Sequence, residues 1–515
     1  MARFVRWTAL TVAAGLLAAG CGGSSGDSFG NGKGTSAPAT TGSSGGSASQ
    51  LPASLTGQTL DWGVCEGTDG VPAPGDEWRC ATLKAPLDWA KPEGETIDLA
   101  LIRTAATGDD RIGSLLFNFG GPGGSGVSTL PAYASSVSAL HERYDLVSWD
   151  PRGVGASGSI RCRGDEEIEA AEAVDVSPDT SAEETAYFRD AADFGKGCVE
   201  SAGELVAHVS TTDTARDMDL MRQVLGDAKT HYFGISYGTE LGGVYAHLFP
   251  QNVGRLVLDA VVDPSADAVG HARNQTLGFQ RALDDYLEST GQDPAQGTRK
   301  VADLLQRIDA EPLATSTDRK LTQTLAVIGI VQSLYRESFW PTLTNALKAA
   351  EQGDGSTLLE LADMYNERDG SGHYTTTTHS QRVISCLDDK QRPTPEQAKQ
   401  LLPEFEEISP VFGPFLGWDT AGWCHQWPVP GQFDTPEVSA PGAAPILVVG
   451  TTGDPATPYE GARRMADELG RGVGVMLTWK GSGHGAYASG SDCVDSTVDA
   501  YLLDGTVPKD GKVCS

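Results

Sequence analysis

The pentapeptide Gly234-Ile235-Ser236-Tyr237-Gly238 has the spacing Gly-x-Ser-x-Gly and says more about the architecture than any other short segment of the chain. The apolar run His231–Ile235 leads into it and predicts a strand, while Glu240–Tyr245 predicts a helix. A turn this tight between a strand and a helix requires glycine on both sides of the serine, and it raises the serine oxygen above the sheet. The context therefore favours a nucleophile elbow, with Ser236 as the attacking residue, over a glycine-rich surface turn.

Other predicted strands flank this motif in both directions, and helical patterns separate several of them. The predicted strands are Trp78–Leu83, Thr96–Thr104, Ser114–Phe119, Tyr144–Trp149, Arg255–Val262, Pro445–Gly450 and Val475–Trp479. Helical spacing is seen at Ala215–Leu225, at Ala462–Leu469 and before Tyr501. Alternating strands and helices predict a mostly parallel sheet covered on both faces. Combined with the elbow, this order predicts an α/β protein with the α/β-hydrolase fold.

A long helical block interrupts the alternation after the strand Arg255–Val262. Apolar residues recur at helical spacing in Phe279–Leu287 and in Leu343–Ala350, and Gly353 follows the second run as a stop signal. We interpret the block as a helical cap inserted between the half of the core that carries the nucleophile and the half that follows. The predicted folded segments are the first core part at 56–264, the helical cap at 265–438 and the C-terminal core part at 439–515.

Asp454 and His484 are the predicted partners of Ser236. A serine hydroxyl is a poor nucleophile near neutral pH, so it needs a histidine base and a carboxylate that orients the base. In this fold the chain order is serine, acid, histidine, and both partners follow predicted strands of the second core part. Asp492 and Asp495 are competing carboxylates, but they come after the histidine and therefore fit this order badly.

The glycine run Gly120–Gly126 follows a predicted strand and offers backbone N–H groups for the oxyanion of an acyl-transfer reaction. We predict the N–H groups of Gly121 and Tyr237 as donors, because this fold uses the loop after its third strand and the residue after the nucleophile. A phosphate-binding loop is the competing interpretation. It is disfavoured because no Lys-Ser/Thr pair follows the run and its spacing is not Gly-x-Gly-x-x-Gly.

The composition is that of a soluble, globular and strongly acidic protein. Of 515 residues, 39% are hydrophobic and 21% are charged, and the formal net charge is −31. Such acidity argues against nucleic acid or an anionic membrane surface as a partner, since phosphate groups would repel the chain. The motifs imply neither a cofactor nor a metal ion.

The N-terminus has the features of an export signal. Arg3 and Arg6 precede the apolar segment Thr8–Ala19, which is too short to span a bilayer as a helix. Small residues then lead to Cys21, as in bacterial lipoprotein signals, although Ala18 stands where leucine is usual. The competing interpretation is an ordinary signal, with Cys21 as a stray thiol. The predicted segments are a signal peptide at 1–20 and a flexible tether rich in Gly and Ser at 21–55.

Removing Cys21 from the nine cysteines leaves eight, which in an exported chain suggests four disulfides. Our hypothesis pairs these eight in consecutive order, because each such pair brackets one local segment. The hypothesised pairs are Cys65–Cys80, Cys162–Cys198, Cys386–Cys424 and Cys493–Cys514. Zinc is the alternative, but there is no Cys-x-x-Cys and no histidine at ligand spacing from another. We expect the protein to be extracellular, attached to the membrane only through Cys21 or else secreted.

Four sets of motifs stand out when the chain is taken as a whole: Asn118–Gly126, Asp150–Ser157, Gly234–Thr239, and Gly453-Asp454 with Gly483–Gly485. Together they resemble the prolyl-iminopeptidase branch of the α/β-hydrolases, and especially the secreted tripeptidyl aminopeptidases. Cys386-Leu387-Asp388 and the cysteine-bearing C-terminal segment also resemble that family, so the similarity extends from near residue 60 to the C-terminus. Phe119 and Glu240 depart from the pattern, which often has proline and an aromatic residue at these two places.

The resemblance implies an exopeptidase that releases short peptides, such as tripeptides, from free N-termini through an acyl-enzyme intermediate. Such an enzyme must hold the substrate ammonium at a set distance from Ser236, and a desolvated cation needs a carboxylate partner. We name Asp388, Asp389 and Glu240 as candidates for this role. In so acidic a chain, each of them also fits an ordinary solvated surface position.

Two other functions are compatible with the sequence. An esterase or lipase of the same fold would have the same triad, but it would cleave acyl esters instead of peptide amides. A solute-binding lipoprotein would share the export signal, the tether and the acidity, but it would hydrolyse nothing. Arg152 also has two interpretations, either an ion pair that helps to hold the active-site loops or a structural arginine buried near the oxyanion loop. Trp149 likewise fits either the core or a wall of the pocket.

Overall fold

The computed structural model describes residues 51–67 and 72–515. The predicted signal peptide, Cys21 and residues 22–50 of the predicted tether lie outside these ranges. The last residues of that tether pack on the domain, because Leu55, in the short helix Ala53–Thr56, is apolar and buried in the core. The packed chain therefore begins before residue 56, where the sequence placed the start of the core.

One ten-stranded sheet and seventeen α-helices make up the described part of the chain. The strands are β1 (Gly63–Val64), β2 (Arg79–Pro86), β3 (Thr96–Thr104), β4 (Gly113–Asn118), β5 (Tyr144–Trp149), β6 (Thr230–Ile235), β7 (Val253–Asp259), β8 (Ile446–Gly453), β9 (Gly474–Ser482) and β10 (Lys512–Cys514). The helices are α1 (Ala53–Thr56), α2 (Gly126–Tyr133), α3 (Ser138–His141), α4 (Asp165–Ala171), α5 (Ser181–Ala202), α6 (Thr211–Leu225), α7 (Tyr237–Leu248), α8 (Ala268–Ser289), α9 (Pro294–Ala310), α10 (Gln323–Leu334), α11 (Trp340–Glu351), α12 (Ser356–Tyr365), α13 (Thr377–Asp388), α14 (Pro395–Ile408), α15 (Gly413–Gly422), α16 (Tyr459–Leu469) and α17 (Asp492–Asp504). Short 3₁₀ turns lie at Ala134–Val137, Gly203–Ala207, Pro250–Asn252 and Glu337–Phe339.

The strand order in the sheet is β1-β2-β3-β5-β4-β6-β7-β8-β9-β10. The pairings β1–β2, β2–β3 and β3–β5 are antiparallel, and every pairing from β5–β4 to β9–β10 is parallel. All six residues of β4 and all six of β5 are buried, as expected of strands covered by helices on both faces. This mostly parallel sheet confirms the α/β-hydrolase fold that the elbow and the order of elements predict.

Helices cover both faces of the sheet, and alternate residues of each strand point to opposite faces. On one face, Leu116 and Tyr232 belong to a core that includes residues of α6, α7 and α16. On the other face, Phe117 and Phe233 belong to a core that includes residues of α2, α3 and α17. Because strands β4 to β9 run parallel to one another, their carboxyl ends lie at one edge of the sheet. Ser236, Asp454 and His484 follow three of these ends, those of β6, β8 and β9.

Helices α8 to α15 lie between β7 and β8 in the chain and form the cap. Their apolar sides make a core of their own, to which Phe279, Leu283 and Phe412 contribute. The predicted helical runs 279–287 and 343–350 fall within α8 and α11. Gly353 follows α11 with a φ of +92°, a conformation that favours glycine and ends a helix. Within the described ranges, no helix has the length and apolar character required to cross a membrane.

Four disulfides are present in the described part of the chain, and they join the eight cysteines as hypothesised: Cys65–Cys80, Cys162–Cys198, Cys386–Cys424 and Cys493–Cys514. The consecutive pairing is thereby confirmed, and none of these cysteines is left as a thiolate ligand for zinc. Disulfides form and persist in oxidising compartments, so the folded domain is extracellular.

Arg152 lies buried in the core, where all of its hydrogen bonds go to Asp217 and to backbone carbonyls. Its guanidinium is fully buried and donates to both carboxylate oxygens of Asp217, at 2.7 Å each. The backbone carbonyls of Pro86, Leu87 and His208 accept its remaining hydrogen bonds, which ties the end of β2 and the segment before α6 to the loop after β5. Trp149 is likewise fully buried in the sheet core. Trp149 therefore occupies a core position, and Arg152 is a buried residue that makes an ion pair holding the loop after β5.

Candidate active site

Ser236 lies between β6 and α7 in a conformation that a side-chain-bearing residue rarely adopts, with φ 57° and ψ −125°. Two glycines make the turn possible. A Cβ atom at Gly234 would lie 2.3 Å from the Gly238 carbonyl oxygen, and one at Gly238 would lie 2.7 Å from the Asn118 carbonyl oxygen. Any larger residue would push the strand and the helix apart. The geometry is that of the predicted elbow, with Ser236 immediately before the first residue of α7.

Asp454 and His484 are brought together as the sequence predicts. The Nδ1 atom of His484 lies 2.9 and 3.0 Å from the two carboxylate oxygens of Asp454, and both side chains are buried. The carboxylate is held in turn by the backbone N–H groups of Ala456 and Thr457, at 2.9 Å each, and by the Thr457 hydroxyl at 3.1 Å. Asp495, a competing carboxylate in the sequence, accepts a hydrogen bond from the Ala488 N–H instead.

The other imidazole nitrogen of His484, Nε2, is buried and makes no hydrogen bond to any described residue. Because Asp454 accepts a bond at Nδ1, the proton of a neutral imidazole is placed there and Nε2 carries the lone pair. A basic nitrogen with no competing partner is what proton abstraction from a serine hydroxyl requires.

Tyr335, at the end of α10 in the cap, contacts the histidine directly. Its backbone carbonyl accepts a hydrogen bond from the backbone N–H of His484 at 3.1 Å. Its ring packs edge-on against the imidazole, with 5.4 Å between the ring centroids. On the core side, the Gly483 N–H donates to the Gly453 carbonyl at 3.1 Å. Tyr335 was not predicted, because the helical pattern of the cap does not show which of its residues contacts a loop some 150 positions later in the chain.

The glycine loop after β4 lies against the start of α7. A Cβ atom at Gly120 would lie 2.9 Å from the Ser236 Cβ and 3.3 Å from the Tyr237 amide nitrogen. Gly120 and Gly121 have φ values of +91° and +109°, which suit glycine, and the Asn118 side chain accepts the Gly120 N–H at 3.0 Å. Gly121 and Tyr237 line one cavity together with Ser236, as expected of the predicted oxyanion donors.

The cavity beside Ser236 is lined by both the core and the cap. All three predicted amine-binding residues, Glu240, Asp388 and Asp389, face this cavity. Apolar residues complete much of the wall and include Val262, Ala266, Phe433, Pro436 and Pro458. Polar residues such as His271, Asn274 and Gln275 line much of the remainder, so the cavity is of mixed polarity.

The three carboxylates differ in how their oxygens are used. Both oxygens of Asp388 accept hydrogen bonds from Thr211, one from its N–H at 2.9 Å and one from its hydroxyl at 2.6 Å. The same hydroxyl is 2.6 Å from the phenol oxygen of Tyr237. Asp388 therefore links the cap to α6 and to the nucleophile turn. The Oδ2 atom of Asp389, in contrast, is buried and has no hydrogen-bond partner among the described residues.

Burial raises the pKa of all three carboxyls. For Glu240, burial and the nearby charge of Asp389 raise the pKa to about 7. For Asp389, burial raises the pKa to about 8 even though Arg392 lowers it. The pKa of Asp388 is raised well above its usual value, again mainly by burial. Burial therefore disfavours the ionised form of each carboxyl, and a cation bound beside them would favour it. Thr211 already donates to both oxygens of Asp388, which leaves Glu240 and Asp389 as the two whose oxygens are most available to a cation.

Comparison with known proteins places the chain in a family. Residues 409–514 match the family model described as TAP-like protein. The chain is 37% identical over 482 residues to serine protease Hip1 of Mycobacterium tuberculosis, covering 89% of this chain and 91% of that protein. It is 36% identical to carboxylesterase B of the same organism, over 85% of this chain and 86% of that protein. It is 31% identical to the tripeptidyl aminopeptidase of Streptomyces lividans, over 88% and 86% of the two chains.

These relatives align with this chain along nearly their whole length. The chain itself has the α/β-hydrolase fold, with the elbow at Ser236 and the Asp454–His484 pair. The resemblance drawn from the sequence motifs is thereby confirmed. The chain belongs to the family of α/β-hydrolase serine hydrolases that includes serine protease Hip1 and the tripeptidyl aminopeptidases of Streptomyces.

Proposed function

We propose that the protein is an extracellular serine exopeptidase that releases short peptides, such as tripeptides, from free N-termini. The observation that carries this proposal is the cavity that contains both Ser236 and the carboxylates of Glu240 and Asp389. An ester hydrolase has no need of costly buried carboxylates in its acyl pocket, whereas an aminopeptidase must pair the substrate ammonium. The names of the relatives Hip1 and tripeptidyl aminopeptidase support the same assignment.

In the proposed mechanism, Ser236 attacks the carbonyl of the scissile peptide bond. Nε2 of His484 takes the serine proton and later gives it to the leaving amine, while Asp454 keeps the imidazole oriented and stabilises its charged form. The N–H groups of Gly121 and Tyr237 donate to the oxyanion. Water then attacks the acyl-enzyme, with His484 again acting as base, and the released product is the N-terminal peptide.

In this mechanism, the substrate ammonium is held by Glu240 and Asp389, which line the same cavity as Ser236. A free amine buried against an ionised carboxylate forms a charge-assisted hydrogen bond, which is stronger than a neutral one. Because the amine is held at a fixed place, the distance from these carboxylates to Ser236 would set how many residues are released. Asp388 keeps the cap at its place on the nucleophile turn through Thr211 and Tyr237.

Glu240→Gln and Asp389→Asn test the amine site. We expect each variant to raise KM for alanyl-alanyl-prolyl p-nitroanilide at least about tenfold, since losing about 1.4 kcal/mol of binding energy is tenfold in affinity. Hydrolysis of a short acyl p-nitrophenyl ester, which has no amine, should change by less than about twofold. Asp434→Asn is the matched control, because Asp434 lines the same cavity but is exposed and paired with Lys390 at 3.5 Å.

The same panel decides between peptidase and esterase. The proposal expects the wild-type enzyme to cleave the free-amine tripeptide amide and to leave its N-acetylated form and single-residue amides nearly untouched. If every amide is inert while short acyl esters turn over, the family's esterase activity is the correct one for this chain. If Glu240→Gln loses activity equally on the amide and on the ester, the amine site is contradicted and the choice between peptidase and esterase is not affected.

The pH dependence of kcat/KM for the free-amine tripeptide should differ from that for the ester. With pKa values of about 7 for Glu240 and about 8 for Asp389, these carboxyls are largely neutral at pH 6 and ionised above pH 8. We expect kcat/KM for the amide to fall at least about tenfold from pH 8 to pH 6, beyond any fall seen with the ester. It should also fall at higher pH, where a substrate amine with a pKa of about 8 loses its charge.

Glu240 and Asp389 do not themselves destabilise the fold at low pH, because their raised pKa values act in the opposite direction. A carboxyl that binds its proton more tightly in the folded state adds stability below its unfolded pKa, and this contribution is lost as pH rises through the folded pKa. The two groups therefore favour the fold more at pH 6 than at pH 8. A thermal melt at both pH values, together with the same profile in Glu240→Gln, checks the assignment. An unchanged profile in that variant would contradict it.

We also propose that the mature chain is lipidated on Cys21 and tethered to the cell surface by residues 22–50. The small residues before Cys21 and the Gly- and Ser-rich segment after it support this proposal. Cys21→Ser is expected to abolish labelling by a palmitate analogue and to move the enzyme from the membrane fraction to the medium. Unchanged membrane association of Cys21→Ser would contradict lipid anchoring.

A further inference from the structure

Asp259 is a buried carboxylate that none of the proposed catalytic steps uses. It is the last residue of β7, is 1% exposed and lies at the same sheet edge as the predicted catalytic residues. Its carboxylate accepts the N–H of Ala486 at 3.0 Å and the N–H of Tyr487 at 2.9 Å. These N–H groups belong to the second and third residues after His484, so the side chain of Asp259 anchors the histidine loop.

The main chain of Asp259 bonds to the nucleophile turn. Its carbonyl oxygen accepts the Ser236 N–H at 3.1 Å. One residue therefore bonds to the serine through its backbone and to the histidine loop through its side chain. Asp454 does not share this role, because its carboxylate bonds to the imidazole and to residues that follow it in its own loop.

A negative charge on Asp259 is energetically unfavourable at this position. Burial and the nearby charge of Asp454 raise the pKa of Asp259 to about 6, and backbone N–H groups, not a cation, compensate the carboxylate. A buried acid without an ion-pair partner costs more than an apolar residue of similar size. Backbone N–H groups are also fixed in direction, so a carboxylate that accepts two of them sets the place of the chain segment that carries them.

We infer that Asp259 is a positioning residue that holds the His484 loop in register with Ser236. The inference rests on the proposed roles of Ser236 and His484. Without the carboxylate, two buried N–H groups lose their acceptor, and the loop is free to shift away from the serine. A displacement of about 1 Å between base and nucleophile is enough to lower a rate by about 100-fold.

Asp259→Asn and Asp259→Ala are compared with Asp419→Asn. Asp419 is the matched control, because it is also buried and its pKa is raised to about 7, but it bonds to Tyr187 in the contact between α15 and α5. Each variant is assayed with a short acyl p-nitrophenyl ester, which does not use the amine site. The measurements are kcat, KM, the rate constant for inactivation by a fluorophosphonate, and Tm.

We expect Asp259→Asn to lower kcat and the inactivation rate constant by about 10- to 100-fold, with KM changed less than twofold. Asp259→Ala should lose more, because asparagine keeps one carbonyl oxygen that can accept a hydrogen bond. Asp419→Asn should keep wild-type rates even where its Tm falls as far. Wild-type rates in the Asp259 variants, or rate losses in all three variants that follow Tm alone, would overturn the inference. A wild-type enzyme that the fluorophosphonate does not label would overturn the catalytic assignment and this inference with it.

Discussion

Ser236→Ala is expected to lower kcat for the free-amine tripeptide amide by at least about 10⁴-fold, and by as much as about 10⁶-fold. The variant removes the atom that forms the acyl-enzyme and leaves only binding and the oxyanion donors to act on water. KM should change little, since the carboxylates of Glu240 and Asp389 are untouched. Initial rates of p-nitroaniline release and labelling by a fluorophosphonate, detected by intact mass, measure the effect.

Ser496→Ala is the control for this substitution. Ser496 is an exposed serine on α17, far from the elbow in the chain and bonded to a backbone carbonyl of its own helix. It should retain full activity and a single fluorophosphonate label. A Ser236→Ala enzyme that keeps more than about a tenth of the wild-type rate, or that still takes the label, would show that another residue is the nucleophile.

Asp454→Asn is expected to lower kcat by about 10⁴-fold while KM changes little. The asparagine amide would direct an N–H toward Nδ1 of His484, so the neutral imidazole would place its own proton on Nε2. That nitrogen would then have no lone pair for the serine proton. The pH profile should shift as well, because a neutral side chain no longer stabilises the imidazolium.

Asp492→Asn provides the matched control, since Asp492 is the exposed carboxylate in the first turn of α17 that the sequence leaves as a competitor. It should keep wild-type kcat, KM and pH profile. Loss of activity in Asp492→Asn together with an active Asp454→Asn would reverse the assignment. Comparable Tm values for the two variants would show that the difference arises in the chemistry and not in folding.

Much of the fold was accessible from local patterns. The predicted strands Thr96–Thr104 and Tyr144–Trp149 have the same bounds as β3 and β5, because strand periodicity and burial are written into consecutive residues. The elbow could be predicted for a similar reason, since glycine spacing reflects backbone geometry within five residues. The edge strands β1 and β10 were not predicted. They are two and three residues long, and their pairing depends on the neighbouring strand and on disulfides near them.

The order of residues along the chain was enough to predict the triad of the candidate site, but not which carboxylates line its cavity. Ser236, Asp454 and His484 follow strand ends, and the order serine, acid, histidine leaves few alternatives in a chain with nine histidines. The carboxylates were harder to assign, because 69 acidic residues offer no local sign of which are buried. Asp388 illustrates this, since its partner Thr211 lies 177 residues away in sequence.

The sequence by itself determined the fold class, the order of the predicted catalytic residues and the presence of a helical insert, whereas it offered the consecutive disulfide pairing only as a hypothesis that the structure then confirmed. Each of these depends on spacing, periodicity or glycine placement within a short stretch. Only the tertiary structure decided that Asp388 is already bonded, that Glu240 and Asp389 share a cavity with Ser236, and that Asp259 holds the histidine loop. Such contacts join segments that are distant in the chain, and the free energy that selects them comes from packing and desolvation, which no local pattern records.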